Sequence, residues 1–257
     1  LQKPNRILLR RMKLKQSGFH AIKIMFKTLN FILLFLGFFI VPPIYAAVLT
    51  DLSVDVNLTL PAKHVVQVPA NFSKAKLLAK RIYADHRVTF YCGCKFDKHG
   101  KVDLKSCGYA IQKDQRRAKR LEWEHIVPVS LWGKHLTCWQ KPLCCEKYKK
   151  CYKGRSCCSK IDKNFAQMEA DLHNLVPEIG ELNALRSNYR FGVLPEVPTG
   201  QLGSCEFKID KENRRVEARD SVKGAIARAY LYMQDQYSMT LSNSQLQLFL
   251  GWDRQYP

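Results

Sequence analysis

The chain has 257 residues, with 42 Lys and Arg against 22 Asp and Glu, a net charge of +20, and ten cysteines. With 46% apolar residues it can bury one large core, which excludes a disordered basic tail, a collagen-like chain and a multi-span membrane protein. The positive excess selects an acidic partner, nucleic acid or an anionic membrane surface, without choosing between them.

Residues 31–41, FILLFLGFFIV, form an uncharged apolar run. At about 1.5 Å of rise per residue it is too short to span a bilayer. It fits the apolar region of a secretory signal peptide starting at Met25, with Ala46 and Ala47 as a cleavage site, although Ile44 breaks the usual small-x-small pattern. An uncleaved membrane anchor is the competing reading. Residues 1–24, basic and without acid, are read as a doubtful leader that reflects an overlong reading frame, 25–47 as the signal peptide, 48–68 as a loose lead-in and 69–257 as the main domain. Eight of the basic residues and none of the acidic ones fall in 1–47, so the exported part carries +12.

In the lead-in, alternating Leu52, Val54, Val56, Leu58 and Leu60 suggest an edge strand bracketed by Pro61 and Pro69. The stretch 71–86 predicts a helix capped by Ser73, with Ala75, Leu78, Ala79 and Ile82 as its apolar stripe. Residues 88–92 read as a strand, and Gly93 and Gly100 turn the chain. No cysteine precedes Cys92. An even number in an exported chain predicts up to five disulfides, with the pairing open. A cysteine zinc site is the rival, but Cys92-x-Cys94 and the adjacent pairs Cys144-Cys145 and Cys157-Cys158 lack the usual ligand spacing.

The run RRAKR at 116–120 is either a solvated face or a phosphate contact. Residues 134–162, dense in Cys, Lys and Tyr, read as a stapled loop rather than a second domain. A short strand is expected over 172–176, ended by Pro177, then a helix over 178–189 built on Ile179, Leu182 and Leu185. A strand over 205–210 follows. A helix over 221–237 has Val222, Ala225, Ile226, Ala229 and Met233 on one side. A last helix runs to Leu250, with Ser242 and Gln245 as a capping box. Long helices around a few short strands make an α+β domain.

Two blocks carry reactive groups: Glu122-Trp123-Glu124-His125, and Asp171-Leu172-His173-Asn174, with Asn183 on the helix beyond and Arg155 between the blocks. Phosphodiester hydrolysis needs an activated water and shielding of the phosphate charge. A neutral His can accept the water's proton. A hard divalent ion needs only a carboxylate and an amide oxygen beside its own waters, and an Arg can clamp a phosphate oxygen. Neighbours in a strand point to opposite faces, so Glu124 and His125 can share a site only at a twist, bulge or strand end. A structural His is the competing reading of His125. The block lacks the His-Glu-x-x-His spacing of a zinc protease.

Further blocks lie in order along the chain: Ile82-Tyr83-x-Asp85-His86, Phe90-Tyr91-Cys92-Gly93-Cys94, Ser106-Cys107-Gly108-Tyr109, Glu122-Trp123-Glu124-His125, Met168-Glu169-Ala170-Asp171-Leu172-His173-Asn174-Leu175, Gly180-Glu181-Leu182-Asn183 and Gly224-Ala225-Ile226-Ala227-Arg228. Over 69–257 the sequence resembles the endonuclease I family of bacterial periplasmic and secreted nucleases. The resemblance implies a ββα-metal, or His-Me finger, site within a mixed α/β single domain. It implies His125 as general base at the end of the first strand and Arg155 against the scissile phosphate. Glu124 and Asn183 would be the ligands of one Mg²⁺, with Mn²⁺ or Ca²⁺ as alternatives and no organic cofactor.

Glu122, His173 and Asn174 are expected to be structural or one step removed from the metal. Arg116, Arg117, Lys119 and Arg120, with Lys113, are expected to contact the nucleic-acid backbone. The implied reaction hydrolyses double- and single-stranded DNA and RNA to 5′-phosphate and 3′-hydroxyl ends, with weak base preference. The implied enzyme is a monomer without an obligatory protein partner, placed in the periplasm or outside the cell. The family often continues past the region of Trp252 with a cysteine-bearing tail, and the cysteines of 138–158 exceed its usual pattern. Two readings from other classes remain: a basic protein that binds without cutting, and a disulfide-rich export factor or inhibitor.

Overall fold

The computed structural model describes residues 68–147 and 150–257. The leader, the signal peptide and the lead-in through residue 67, with its expected edge strand, lie outside these residues.

Helix α1 (Phe72–Ile82) starts where Asn71 Oδ1 accepts from Lys74 N at 2.9 Å, so Asn71 is the cap and not the expected Ser73. Only Ala75 and Ala79 are buried; Leu78 and Ile82 of the expected stripe face outward. The two small side chains, one turn apart, let the helix lie close against Ala170 and Leu175.

The expected strand over 88–92 is a turn. Val88 makes a single bridge to Lys95, and Gly93 at φ +74° reverses the chain before β1 (Lys95–Phe96), which pairs with β2 (Val102–Asp103). The disulfides Cys92–Cys205 and Cys94–Cys107, with the Cys94 N–H to Thr89 Oγ1 bond, hold this turn and outweigh the β-propensity of Val88 to Tyr91.

A short helix, α2 (Gln115–Ala118), leads into β3 (Leu121–His125). Three small helices follow, α3 (Ser130–Gly133), α4 (Thr137–Gln140) and α5 (Arg155–Ile161). The bonds Cys138–Cys158, Cys144–Cys157 and Cys145–Cys151 staple this segment and complete the pairing of all ten cysteines. Its buried cysteines and Phe165, from α6 (Lys163–Ala170), form a small core beneath Trp132 and Trp139.

The second expected strand is displaced. Leu172–Asn174 is a 3-10 turn, and β4 runs Leu175–Ile179 with Pro177 inside it. Strand β4 belongs to a two-stranded antiparallel sheet, so Pro177 faces no ladder that needs its missing N–H; its carbonyl accepts from Phe90 N on the outer side. The register pairs Glu124 with Val176 and His125 with Leu175. Helix α7 (Gly180–Arg186) follows at once, so the helix expected over 178–189 is shorter at both ends, and Glu178 and Ile179 belong to the strand.

A three-stranded sheet combines β5 (Arg190–Phe191), β6 (Lys208–Asp210) and β7 (Arg215–Glu217) in the order β5-β7-β6, with β5 parallel to β7. Two long helices, α8 (Asp220–Tyr237) and α9 (Asn243–Gln255), close the fold. Ser242 Oγ accepts from Gln245 N at 3.3 Å, the expected cap, and α9 continues past Leu250 to Gln255. Tyr230 stacks on Phe249 at 4.2 Å, and Val222, Ile226, Ala229 and Met233 are buried along the expected side of α8. Gly224 permits the closest approach, since a Cβ there would sit 1.7 Å from the Tyr256 carbonyl oxygen. Removing either Phe249 or Trp252 would cost about 3–5 kcal/mol. The result is an α+β arrangement of helices and small sheets, as expected.

Candidate active site

The end of β3, the start of α3, helix α7 and the start of α5 border a cleft of about 290 Å³ whose walls include Glu124, His125, Arg155, Asn183, Arg186 and Asn188. The fold therefore collects His125, Arg155, Glu124 and Asn183 in one place. His125 is the last residue of β3. Strand alternation stops there, which lets two adjacent side chains reach one cavity while both are buried.

His125 Nε2 lies 2.8 Å from the Glu169 carbonyl oxygen. A carbonyl only accepts, so Nε2 carries the proton and Nδ1 is the ring's acceptor. Burial pulls the His125 pKa down to about 3, and the Arg155 cation adds to the effect, so the imidazole is neutral at neutral pH. The Phe72 ring, on the first turn of α1, lies 5.0 Å from this imidazole and 4.9 Å from the Arg155 guanidinium.

Glu124 Oε1 accepts from the Tyr91 hydroxyl at 3.1 Å and meets Arg186 Nη1 at 3.0 Å. Burial raises its pKa to about 7, and Arg186 is the strongest opposing influence. Asn183 Nδ2 donates to Glu122 Oε2 at 3.1 Å, which commits the amide nitrogen and leaves Oδ1 as the free end. Glu122 in turn accepts from Arg117 Nε and Nη2, both at 2.8 Å, and from Arg120 Nη2 at 2.7 Å. Burial works against its ionised form, but these hydrogen bonds hold its pKa below the usual value.

Arg117 and Arg120 thus spend their guanidinium groups on Glu122. Arg116 and Lys119 are exposed and make no side-chain bond among the described residues. Arg155 Nε donates to Glu169 Oε1, and Ser159 holds the other oxygen at 2.6 Å. Arg155 Nη2 is buried without a partner among the described residues, a donor matched to an anionic oxygen. Asn174 is fully buried and clamps Val127, accepting from its N–H at 2.7 Å and donating to its carbonyl at 2.9 Å. His173 lies elsewhere, with 54% of its side chain exposed, its Nδ1 2.9 Å from Asp171 and its ring stacked on Tyr232.

Sequence reasoning missed Arg186, Glu169, Phe72 and Glu181. Arg186 is fully buried. It donates to the His125 carbonyl at 2.9 Å and to the Ile126 carbonyl, and its guanidinium lies over the Phe191 ring. The available signal was its place one turn beyond Asn183, which puts both on one helix face. Glu181, on the same helix, accepts from Lys113 N at 2.5 Å and Asp114 N at 2.7 Å and fixes the loop that enters α2. Helix α7 therefore sets the basic loop, the Asn183 amide and the end of β3 together.

No cluster of three or more His, Cys, Asp or Glu able to hold a metal occurs among the described residues. Among the oxygen-bearing side chains of the cleft are the Glu124 carboxylate and the Asn183 amide, whose nitrogen is committed to Glu122; Ser130, Ser187 and Asn188 also line it, with Asn188 Oδ1 taken by Arg214. That set fits a hard cation that keeps several waters.

Fold and cleft define a disulfide-stapled α+β protein in which a neutral imidazole, a carboxylate, an amide oxygen and a guanidinium face one cavity. The chain belongs to the endonuclease I family, whose model, described as Endonuclease I, matches residues 70–257. It is 47% identical over 190 residues to an extracellular deoxyribonuclease of Aeromonas hydrophila, covering 72% of this chain and 78% of that protein. It is 44% identical over 190 residues to Endonuclease-1 of Buchnera aphidicola subsp. Baizongia pistaciae, covering 72% and 73%. A periplasmic deoxyribonuclease of Aeromonas hydrophila is 41% identical over 210 residues, covering 80% and 83%.

Proposed function

We propose that the protein is an exported, metal-dependent endonuclease that hydrolyses DNA and RNA without base preference, leaving 5′-phosphate and 3′-hydroxyl ends. Family membership and the names of the relatives support a nuclease acting on DNA, and five disulfides suit an exported protein. The β3–β4–α7 unit supports a His-Me finger reading. The observation that carries the chemistry is the Nε2 bond of His125 to the Glu169 carbonyl, because it aims a neutral Nδ1 as proton acceptor.

Glu124 and Asn183 would hold a divalent cation, Mg²⁺ by donor type, which supplies shielding of the phosphate and of the departing 3′ oxygen when bound. His125 Nδ1 takes a proton from the water that attacks phosphorus in line. The phosphate's negative charge opposes the Arg155 field and raises the basicity of His125 as substrate arrives. Arg155 Nη2 donates to a non-bridging oxygen, while Glu169 holds its Nε and Phe72 supports both Arg155 and His125. Arg116 and Lys119 contact the backbone, whereas Arg117 and Arg120 act through Glu122. All of these groups come from one chain, so a monomer suffices.

Digestion of plasmid DNA and of RNA with Mg²⁺, with EDTA, and by His125→Ala tests this reading. The wild type should cut only with metal, and His125→Ala should lose about 10²–10⁴-fold in kcat. Salt-sensitive binding without metal-dependent cutting would sink the nuclease reading, and wild-type rates in His125→Ala would remove the assigned base.

A further inference from the structure

A second concavity lies beside the first half of β3 and shares Trp123 with the active cleft. It is a shallow hollow of about 70 Å³ between the end of α1, the β1–β2 hairpin and the first half of β3. The rings of Tyr83, Phe96 and Trp123, the cations of Lys80, Arg87 and Lys98 and one carboxylate, Asp97, line it; Asp97 Oδ1 accepts from the backbone N–H groups of His99 and Lys101, both at 2.9 Å. Trp123 and Tyr83 have ring centroids 5.8 Å apart at an interplanar angle of 53°, so they form an angled wall and do not cover each other face to face. Burial pushes the Tyr83 phenol up to about 12, so the ring stays neutral, whereas backbone hydrogen bonds lower the pKa of Asp97 and keep it ionised.

The side chains of Lys80, Arg87 and Lys98 make no ion pair or hydrogen bond among the described residues. This contrasts with Arg117, Arg120 and Arg155, whose guanidinium groups are engaged by carboxylates. Three unpaired cations against one carboxylate, around partly buried aromatic rings, suit a group that is flat and negatively charged together, the chemistry of a nucleotide.

Trp123 also lines the active cleft. Trp123 and His125 are two residues apart on β3, about 7 Å along the strand. A strand whose phosphate lies at His125 can thus bring its neighbouring nucleotide to Trp123. The hollow is too shallow to enclose a base, so it suits a base laid against the rings as part of a strand. A base held in a duplex has its faces covered by its neighbours and cannot stack there.

We propose that this hollow is a subsite for single-stranded nucleic acid, in which an unstacked nucleotide flanking the scissile phosphate lies on Trp123 and Tyr83 while Lys80, Arg87 and Lys98 take its phosphates. The inference rests on the nuclease reading for the identity of the strand. It adds a preference that the active cleft alone does not supply.

The test is fluorescence anisotropy in EDTA, where nothing is cut, with a labelled 12-nucleotide single strand and a blunt duplex of the same sequence. The proteins are the wild type, Tyr83→Ala and the double variant Lys80→Ala/Lys98→Ala. Each variant should weaken single-strand binding about 10-fold and duplex binding less than about 2-fold. The double variant should lower the single-strand salt slope by about 1.4. Thermal melting checks that the variants fold, and the two surface lysines keep the test open if Tyr83→Ala does not.

Equal weakening toward both ligands, or none toward the single strand, overturns the proposal. Metal-dependent cutting by the wild type is scored separately. If the wild type does not cut but the variants lose single-strand binding as described, the subsite stands and the nuclease reading falls.

Discussion

Arg186→Met removes a cation whose every polar contact is inside the protein. The guanidinium meets Glu124 at 3.0 Å, donates to the carbonyls of His125 and Ile126, and has essentially no exposed surface. Methionine fills much of the space but leaves Glu124 buried without its counter-ion and two carbonyls without donors. Breaking a buried pair by removing one partner costs about 3–5 kcal/mol. For a domain of this size that corresponds to a fall in Tm of about 10 °C.

The same change acts on chemistry. Arg186 is the strongest influence holding down the pKa of Glu124, which burial has already raised to about 7. Without it the pKa rises further, by about one unit or more, and Glu124 is protonated over more of the neutral range. A protonated carboxyl no longer holds a cation, so the acid limb of the pH–activity profile moves to higher pH by a similar amount. Circular-dichroism melting in EDTA measures the first effect, and cleavage of plasmid from pH 5 to pH 9 measures the second. Arg186→Lys keeps the charge but not the fork and should fall between. If Arg186→Met melted within about 2 °C of the wild type and kept its acid limb, Arg186 would not be holding Glu124 and the end of β3.

Glu122→Gln should cost under about 1 kcal/mol in melting, because its arginine partners reach solvent, yet should weaken Mn²⁺ affinity about 10–100-fold by releasing the Asn183 amide; calorimetric titration reads this. Replacing Cys92 and Cys205 by Ser opens a bond spanning 113 residues and should cost about 5 kcal/mol, against about 2 kcal/mol for the Cys145–Cys151 bond spanning 6, as measured by chemical denaturation. Burial alone would raise the pKa of Asp171, but hydrogen bonds from His173, Tyr237 and Tyr232 hold it below the usual carboxylate value. Its ionised form therefore stabilises the protein above the unfolded pKa of about 4 and ceases to do so as pH falls through the lower folded value. The stability gap between wild type and Asp171→Asn should be constant from pH 5 to pH 8 and close below pH 4; a gap that widens in acid would contradict this.

The groups that meet in the cleft were legible where they stand in short blocks. Glu124 and His125 are adjacent, and Asn183 lies in a block with Glu181, so sequence alone raised them together. Arg186 was not legible, because one arginine on a helix in a basic chain looks like a solvated cation. Its role comes from burial against β3, a contact between residues 60 positions apart. The strand expected at 88–92 failed for a related reason. Its β-branched and aromatic residues favour extension, but the turn is imposed by two disulfides, one of them to Cys205 far along the chain. Pro177 misled in the other direction, because its prohibition on strands applies only where the N–H is needed, and whether a strand is an edge is a tertiary fact.

Helix α5 begins with Arg155 and two positions later presents Cys157 and Cys158, bonded to Cys144 and Cys138. Consecutive helical residues point roughly 100° apart, so two such bonds stop the helix from rolling as well as from sliding. The aim of Arg155 is therefore written in oxidised sulfur. In a thiol-rich compartment the same polypeptide would lack both anchors, and Arg155 would keep only its bond to Glu169 and its contact with Phe72. For a chain exported as proposed, oxidation would add these two anchors only after the chain leaves the compartment where it is made.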